Sequence, residues 1–350
     1  MKAKSRARYI IAALALAVLI MALVCLFVGA SRMSFSDGVA ALFGKGSAAN
    51  VRILRSIRVP RVLAALIAGA ALSVSGLVMQ TTLSNAMASP STMGVSNAAV
   101  FGANLSIIVF AGGFLSTGNN LASYTAGVNP FAASVTAFLF SALSILLILA
   151  LCRVKAFSPN VVVLAGIAVG AIWTAATTLL QFYATDVGLS AAVVWNFGDL
   201  GRATYKTDLL MLCAAAPGLA VFSALAWRYN ALLSGDAAAG SMGVNVSRLR
   251  FFSLLLASLM TAACVSSLGI IGFVGIICPH VAKRLRLLGQ DHRVSIPASA
   301  LLGSLLLLCA NALSRSLGSG SALPVGAITS LLGAPFFLTI IFSRKEHGQC

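Results

Sequence analysis

Four arginines, Arg52, Arg55, Arg58 and Arg61, recur at a strict spacing of three. Guanidinium forks match carboxylates in a bidentate fashion, so a row of them sharing one helical face suits recognition of an acidic protein surface. The plainer reading of each arginine alone is an anchor to lipid headgroups. Arg315, with Arg202 and Lys206, is a candidate for the same basic patch. No comparable constellation points to catalysis. The seven acidic residues, Asp37, Asp186, Asp199, Asp208, Asp236, Asp291 and Glu346, all fall at the ends of apolar runs or between them. There is no paired-aspartate motif for a metal-bound diphosphate, and His280, His292 and His347 fall on segments expected to be cytoplasmic. Gly44-Lys45 is followed by Gly46 instead of the Ser or Thr of a phosphate loop. No catalytic residue, metal site or cofactor is therefore expected on this chain. If ATP and magnesium drive it, they are expected on a separate ATPase.

The elements that must position these residues are apolar. Of 350 residues, 59% are hydrophobic and 9% charged, with mean hydropathy +1.00; soluble domains carry about 25% charged residues. Each bilayer crossing takes roughly 20 apolar residues. Stretches of that kind run approximately over 9–30, 60–83, 93–112, 131–152, 161–184, 207–227, 252–268, 269–288, 294–314 and 323–343, the seventh and eighth being candidates for one long helix. The expected fold class is an all-α polytopic membrane protein of about ten transmembrane helices. It forms a single permease domain over 1–350, with 1–8 as a cytoplasmic tail. The first run is too long for a cleaved signal's apolar core. The seven cysteines, Cys25, Cys152, Cys213, Cys264, Cys278, Cys309 and Cys350, form no CxxC pair and read as packing residues.

A net charge of +17 suggests nucleic acid only in a soluble protein; here the basic residues flank apolar runs, so no nucleic acid is expected. With a cytoplasmic N-terminus, Arg153, Lys155, Arg228, Arg248, Arg250, Lys283, Arg284, Arg286, Arg293, Arg344 and Lys345 fall inside, as the positive-inside rule requires. The row from Arg52 to Arg61 then lies outside. No carboxylate is expected at the bilayer midplane, which disfavours ion coupling and points to an external energy source. Gly166 and Gly170 form a GxxxG spacing that lets helix backbones approach closely, within this chain sooner than between chains.

Arg58-Val59-Pro60-Arg61-Val62-Leu63 followed by the run from Gly69 to Gln80 closely resembles the second helix of permeases of the iron-siderophore, haem and cobalamin ABC importer family. The likeness continues through Ser84-Asn85-Ala86-Met87-Ala88-Ser89-Pro90 and Met93-Gly94-Val95-Ser96, with Ser84 where arginine is frequent and Ala86 in place of proline. It extends through Leu164 to Ala168, Trp195 to Leu200 (where a short outer helix or re-entrant turn is expected), Gly235-Asp236 with Met242-Gly243-Val244, Gly272 to Gly275, Pro279-His280, Asp291-His292-Arg293 and Leu323 to Phe337. Asn311 and Ala322 stand where the family often has acids.

The resemblance implies the type II ABC importer permease fold and a location in the cytoplasmic membrane with both termini inside. The implied partners are a second copy or close homologue, an extracytoplasmic substrate-binding protein, two ATP-binding subunits on the cytoplasmic side, the lipid bilayer and an iron-chelate cargo such as a ferric siderophore. Arg58, Arg61 and Arg315, joined by Arg52 and Arg55, are then candidates for docking the binding protein. Gly235, Asp236, Met242, Gly243 and Val244, with Pro279, His280, Lys283 and Arg284, are candidates for coupling to the ATPase. A pathway for a large chelate should be lined by small, weakly polar groups; candidates are Gln80, Ser84, Asn85, Ser89, Pro90, Thr174, Thr177, Thr178 and Gln181, with an unwound backbone near Ser84 to Pro90. Alternatives are the same architecture carrying haem or cobalamin, and a stand-alone secondary transporter or membrane enzyme.

Overall fold

The computed structural model of the chain describes residues 2–27, 34–111, 129–153, 158–284, 290–317 and 323–343. Lys155, Arg286, Arg344, Lys345, Glu346, His347, Cys350 and Ala322 lie outside them. The described residues are nearly all helical: α1 (Lys2–Phe27), α2 (Phe35–Leu42), α3 (Ala48–Arg52), α4 (Val59–Thr82), α5 (Val95–Asn104), α6 (Pro130–Arg153), α7 (Pro159–Phe182), α8 (Asp186–Asn196), α9 (Tyr205–Ala224), α10 (Ala226–Leu232), α11 (Asp236–Ser241), α12 (Val246–Leu268), α13 (Val274–Arg284), α14 (His292–Leu317) and α15 (Val325–Ser343). Two π-helical segments, Ile53–Arg58 and Leu105–Phe110, lead into α4 and extend α5.

Each of the ten apolar stretches holds a helix. Among the described residues, seven helical segments are long and apolar enough to cross a membrane: Ala7–Phe27, Ala48–Thr82, Pro130–Arg153, Pro159–Phe182, Tyr205–Ala224, Val246–Leu268 and His292–Leu317. Val95–Phe110 and Val325–Phe336 are apolar but shorter, and the stretch 269–288 holds α13, of 11 residues. α12 and α13 are separate helices, because Gly269 (φ +81°) and Phe273 (φ +65°) take left-handed backbone between them. Helix α1 begins at Lys2, so the basic stretch expected as a tail is its first two turns.

Helix α4 is the central post, its apolar part mostly buried while that of α1 is mostly exposed. Its small residues explain how. A Cβ on Gly69 would lie 2.4 Å from the Gly303 carbonyl oxygen of α14, and one on Gly76 would lie 1.8 Å from the Gly275 oxygen of α13. Between them the Ser73 hydroxyl donates to the Ser299 carbonyl at 2.7 Å. Gly69, Ser73 and Gly76 thus form one helical face of minimal width, on which two neighbouring backbones rest. Lipid gives no hydrophobic drive for helices to associate, so such close packing and interhelical hydrogen bonding must hold them together.

Candidate functional site

Chemistry-bearing side chains gather at the two ends of α4, about 36 Å apart for 24 residues of helix. At its N-terminal end the arginine row does not share one face. A spacing of three slips by about 60° per step even on an ideal α-helix, and the chain here winds as a π-helix over Ile53–Arg58: Arg52 and Arg55 are exposed, Arg61 is half-buried, and Arg58 is 2% exposed. Arg58 donates to the carbonyls of Leu26 at 2.8 Å and Phe27 at 2.9 Å, in the last described turn of α1. Arg315, near the end of α14, donates to the Cys25 carbonyl at 2.9 Å.

The same use recurs around this end. Arg55 donates through Nε and Nη2 to the Leu42 carbonyl that ends α2, at 3.2 and 2.8 Å. Arg202 donates to the Val194 and Trp195 carbonyls near the end of α8, at 2.6 and 2.9 Å, and its guanidinium stacks on the Trp195 ring. Burial pushes the Arg202 guanidinium below its ordinary value, against the raising influence of the Asp199 charge. The last carbonyls of a helix have no intrahelical partner, and a guanidinium supplies both donors and the positive charge that this end of the helix dipole favours. Arg55 and Arg202 are therefore helix caps in this fold, while Arg58 and Arg315 tie the start of α4 and the last described turn of α14 to carbonyls of α1. Lys206 is exposed beside Tyr205, whose hydroxyl donates to the Arg55 carbonyl at 2.5 Å. The segment after Trp195 is a short helical turn sewn to the α12 terminus, with the Asp199 amide donating to the Leu268 carbonyl at 2.9 Å.

At the C-terminal end of α4 the residues expected to couple to an ATPase divide into two groups. Asp236 opens α11, a short helix whose Gly235 cap takes φ +97° and whose following Gly243 takes φ +82°. Met242 is exposed, whereas Val244 and Ala239 are buried and seat the helix on the body. A Cβ on Gly235, Gly240 or Gly243 would meet nothing within 4 Å, so this surface is open. In α13, Pro279 is buried, His280 is half-buried, and Lys283 and Arg284 are exposed. Lys283 donates to the Gln80 side-chain oxygen at 3.2 Å, while the Gln80 amide donates to the Gly275 carbonyl at 3.2 Å. Gln80, expected along a pathway, thus ties α4 to α13.

Sequence reasoning missed the core of this end. Arg250, 3% exposed, donates Nε–H to the Thr82 carbonyl at 2.7 Å and Nη2 to both Asp236 carboxylate oxygens at 3.1 Å. His292 is also buried. Its Nε2 lies 2.8 Å from the Thr81 hydroxyl and its Nδ1 2.9 Å from the Asn230 oxygen. The Asn230 amide donates to Asp291 at 2.7 Å. Burial raises the affinity of the Asp291 carboxyl for its proton, but the Asn230 amide, the Arg293 backbone N–H and the Arg293 charge outweigh it and hold the group below the usual carboxylate range.

Between the ends, residues 83–94 connect α4 to α5 without helix, as expected for Ser84 to Pro90. Ser84 takes φ +46°, Asn85 is half-buried, and Ser89 is buried, exchanging hydrogen bonds with Thr92. The segment ends at Gly94 (φ +77°), whose Cβ position lies 2.7 Å from the Gly170 Cα; a Cβ on Gly166 would lie 2.9 Å from the Met93 Cα. The GxxxG spacing of α7 thus receives the start of α5 within this chain. Beside that contact runs an open groove of about 540 Å³ lined by Ser91, Thr92, Asn97, Thr174, Thr178 and small residues of α7. Its lining has no charged side chain. Asn97 donates to the Thr174 hydroxyl at 3.0 Å and the Gly170 carbonyl at 3.2 Å. Of the remaining pathway candidates, Thr177 is buried and bonds the Trp173 carbonyl, and Gln181 donates to Asn104 at 3.1 Å. Among the described residues no three His, Cys, Asp or Glu side chains cluster as a metal site.

Comparison with known proteins places this geometry. Residues 16–343 match the FecCD transport family. A protein of Methanocaldococcus jannaschii named as an ABC transporter permease is 42% identical over 323 residues, covering 92% of this chain and 90% of that one. The hemin transport system permease HmuU of Yersinia pestis is 36% identical, covering 83% of this chain and 84% of its own. The iron(3+)-hydroxamate import permease FhuG of Bacillus subtilis is 32% identical over 99% of this chain and all of its own. A solved structure described as an inward-facing metal-chelate type ABC transporter superposes with TM-score 0.81 at 26% identity, over 96% of this chain and 99% of that one. With its apolar helices, packed core and sequence all in agreement, the chain belongs to the FecCD transport family and is a multi-pass membrane permease of the ABC importer type.

Proposed function

We propose that this permease carries an iron chelate, a ferric siderophore, across the cytoplasmic membrane, with both termini in the cytoplasm. Two copies, or one copy and a close homologue, line the pathway. An extracytoplasmic binding protein delivers the cargo at the arginine-bearing end of α4. Two ATP-binding subunits, holding ATP and magnesium, act at the end that bears α11. The observation that carries the cargo reading is the groove between α5 and α7: a few hydroxyl and amide groups over an apolar floor of glycine, alanine and Ile167, with no charge to trap an ion or a chelate. A bare cation would find no ligand set there, so the metal travels inside its chelator. The relatives named for hemin and for iron(3+)-hydroxamate support cargo of this class.

At the docking end, hydrogen bonds to backbone carbonyls engage Arg55, Arg58 and Arg315 in the fold itself. Contact with the acidic partner therefore falls first on Arg52 and Arg61, with Arg55 at its margin. At the coupling end, Met242, Lys283 and Arg284 supply exposed surface, and Gly235, Asp236 and Gly243 set the backbone of α11.

The hemin relative, the more similar of the two named for iron compounds, makes haem the second reading. Both are tested by ATP-dependent uptake of labelled ferric siderophore, haem and cobalamin into proteoliposomes that hold this chain with its ATPase and binding protein. Uptake of the ferric siderophore alone is the expected result. Preference for haem or cobalamin overturns the cargo, and uptake without ATP overturns the mechanism.

A further inference from the structure

We infer that Arg250 is the positioning residue that couples the α11 surface to the unwound segment beside the groove; this rests on the proposed ATP-driven reading. Three elements meet on its guanidinium. Asp236, the first residue of α11, has a side chain 54% exposed and receives Nη2 through both carboxylate oxygens. Thr82, the last residue of α4, receives Nε–H. Arg250 itself sits in α12, buried, and the planar fork fixes the relative placement of the two partners in a way that a flexible ammonium does not.

The position of Thr82 gives this clasp its consequence. The chain leaves α4 one residue later and runs without helix to Gly94, passing Ser91 and Thr92 on the groove wall. Short, irregular backbone held at its ends is the part of a packed membrane protein that has room to change shape, whereas α4 is locked by its glycine contacts. A push on α11 therefore passes through the Asp236 carboxylate to Arg250, from Arg250 to the Thr82 carbonyl, and from there into residues 83–94. The route is a chain of direct contacts between rigid elements and ends at the groove.

The test uses the assembled transporter in proteoliposomes, measuring cargo accumulated per ATP hydrolysed. Asp236→Asn keeps the shape of the side chain at an exposed site but removes its charge. Asp236→Glu keeps the charge, and Arg250→Lys keeps the charge of the other partner without its fork. The expected result is a roughly fivefold or greater fall in cargo per ATP for Asp236→Asn and Arg250→Lys, with partial recovery in Asp236→Glu. In a background freed of native cysteines, spin labels at positions 91 and 178 read the groove directly: their separation shifts on ATP binding in the parent and stays fixed in Asp236→Asn. Parent-like cargo per ATP and a parent-like shift in Asp236→Asn overturn the inference while leaving the importer reading intact. A parent transporter whose uptake ignores ATP overturns both.

Discussion

The Arg58 guanidinium lies 2.9 Å from the Phe27 carbonyl, 31 residues away in sequence, and so fastens α1 to the start of α4. Removing it takes a buried, charged donor away from the Leu26 and Phe27 carbonyls. Arg58→Ala should lower stability by roughly 1.5–3 kcal/mol, the scale of hydrogen bonds to charged groups, read as a drop in thermal unfolding temperature in detergent. Arg52→Ala, at an exposed site, should change stability by less than about 0.5 kcal/mol. If the two variants unfold alike, Arg58 does not hold α1 to α4.

A complementary prediction concerns docking. Charge reversal at Arg52 and Arg61 should weaken binding-protein affinity and flatten its dependence on salt, as expected for ion pairs at an interface rim. Since exposed pairs contribute modestly, the change expected per site is about 0.2–1 kcal/mol. Affinity and salt slope that match the parent protein would assign these arginines to lipid headgroups instead.

The α4 packing face gives a sharper contrast. A Cβ on Gly76 meets a backbone oxygen at 1.8 Å, and backbone cannot rotate away as a side chain does. Gly76→Ala should cost at least about 1–3 kcal/mol from overpacking, whereas Gly240→Ala, facing open space, should be nearly neutral. Yield and unfolding temperature of the two variants, side by side, check this.

These residues also show where sequence reading succeeded and where it stopped. Apolar length located the long helices but not the short α2, α3, α8, α10 and α11, and the Asn, Ser and Pro cluster located the unwound segment, because both follow from local backbone satisfaction in lipid. The arginines do not share one face, since a spacing of three drifts by about 60° per step on an α-helix and the π-helical turn over Ile53–Arg58 leaves no mark in residue spacing. Arg250 was read as one more cytoplasmic charge. Its pairing with Asp236 depends on how α11 folds back onto α12, a tertiary fact that a single sequence does not carry. Gly69, Ser73 and Gly76 were recognised as a family pattern, but their physical reason, two backbones resting on one face, needed coordinates.

Asp291 predicts an acid limit. Its bonded carboxylate is held below the ordinary value of 3.8, so the folded state binds fewer protons than the unfolded chain in that range. The stabilisation is fully present above the unfolded value and is lost as pH falls through the lowered one. Unfolding temperature should therefore fall below about pH 4, and Asp291→Asn should flatten that limb while lowering stability at neutral pH. An acid limb of the same steepness in Asp291→Asn would place the titrating group elsewhere.

The groove provides the last prediction. Thr178 is exposed on its wall, and its hydroxyl donates back to the Thr174 carbonyl of its own helix. Thr178→Trp should leave stability within about 0.5 kcal/mol of the parent, as for surface substitutions. It places an indole in a channel of about 540 Å³, and cargo uptake should fall on the order of tenfold or more, equivalent to ~1.4 kcal/mol added to the limiting step. Thr177→Trp, one position along, enters buried packing and should fail on stability instead. The pair separates blocking from misfolding: full uptake in a folded Thr178→Trp protein would move the pathway off this face of α7, whereas reduced uptake with normal unfolding temperature would fix it there.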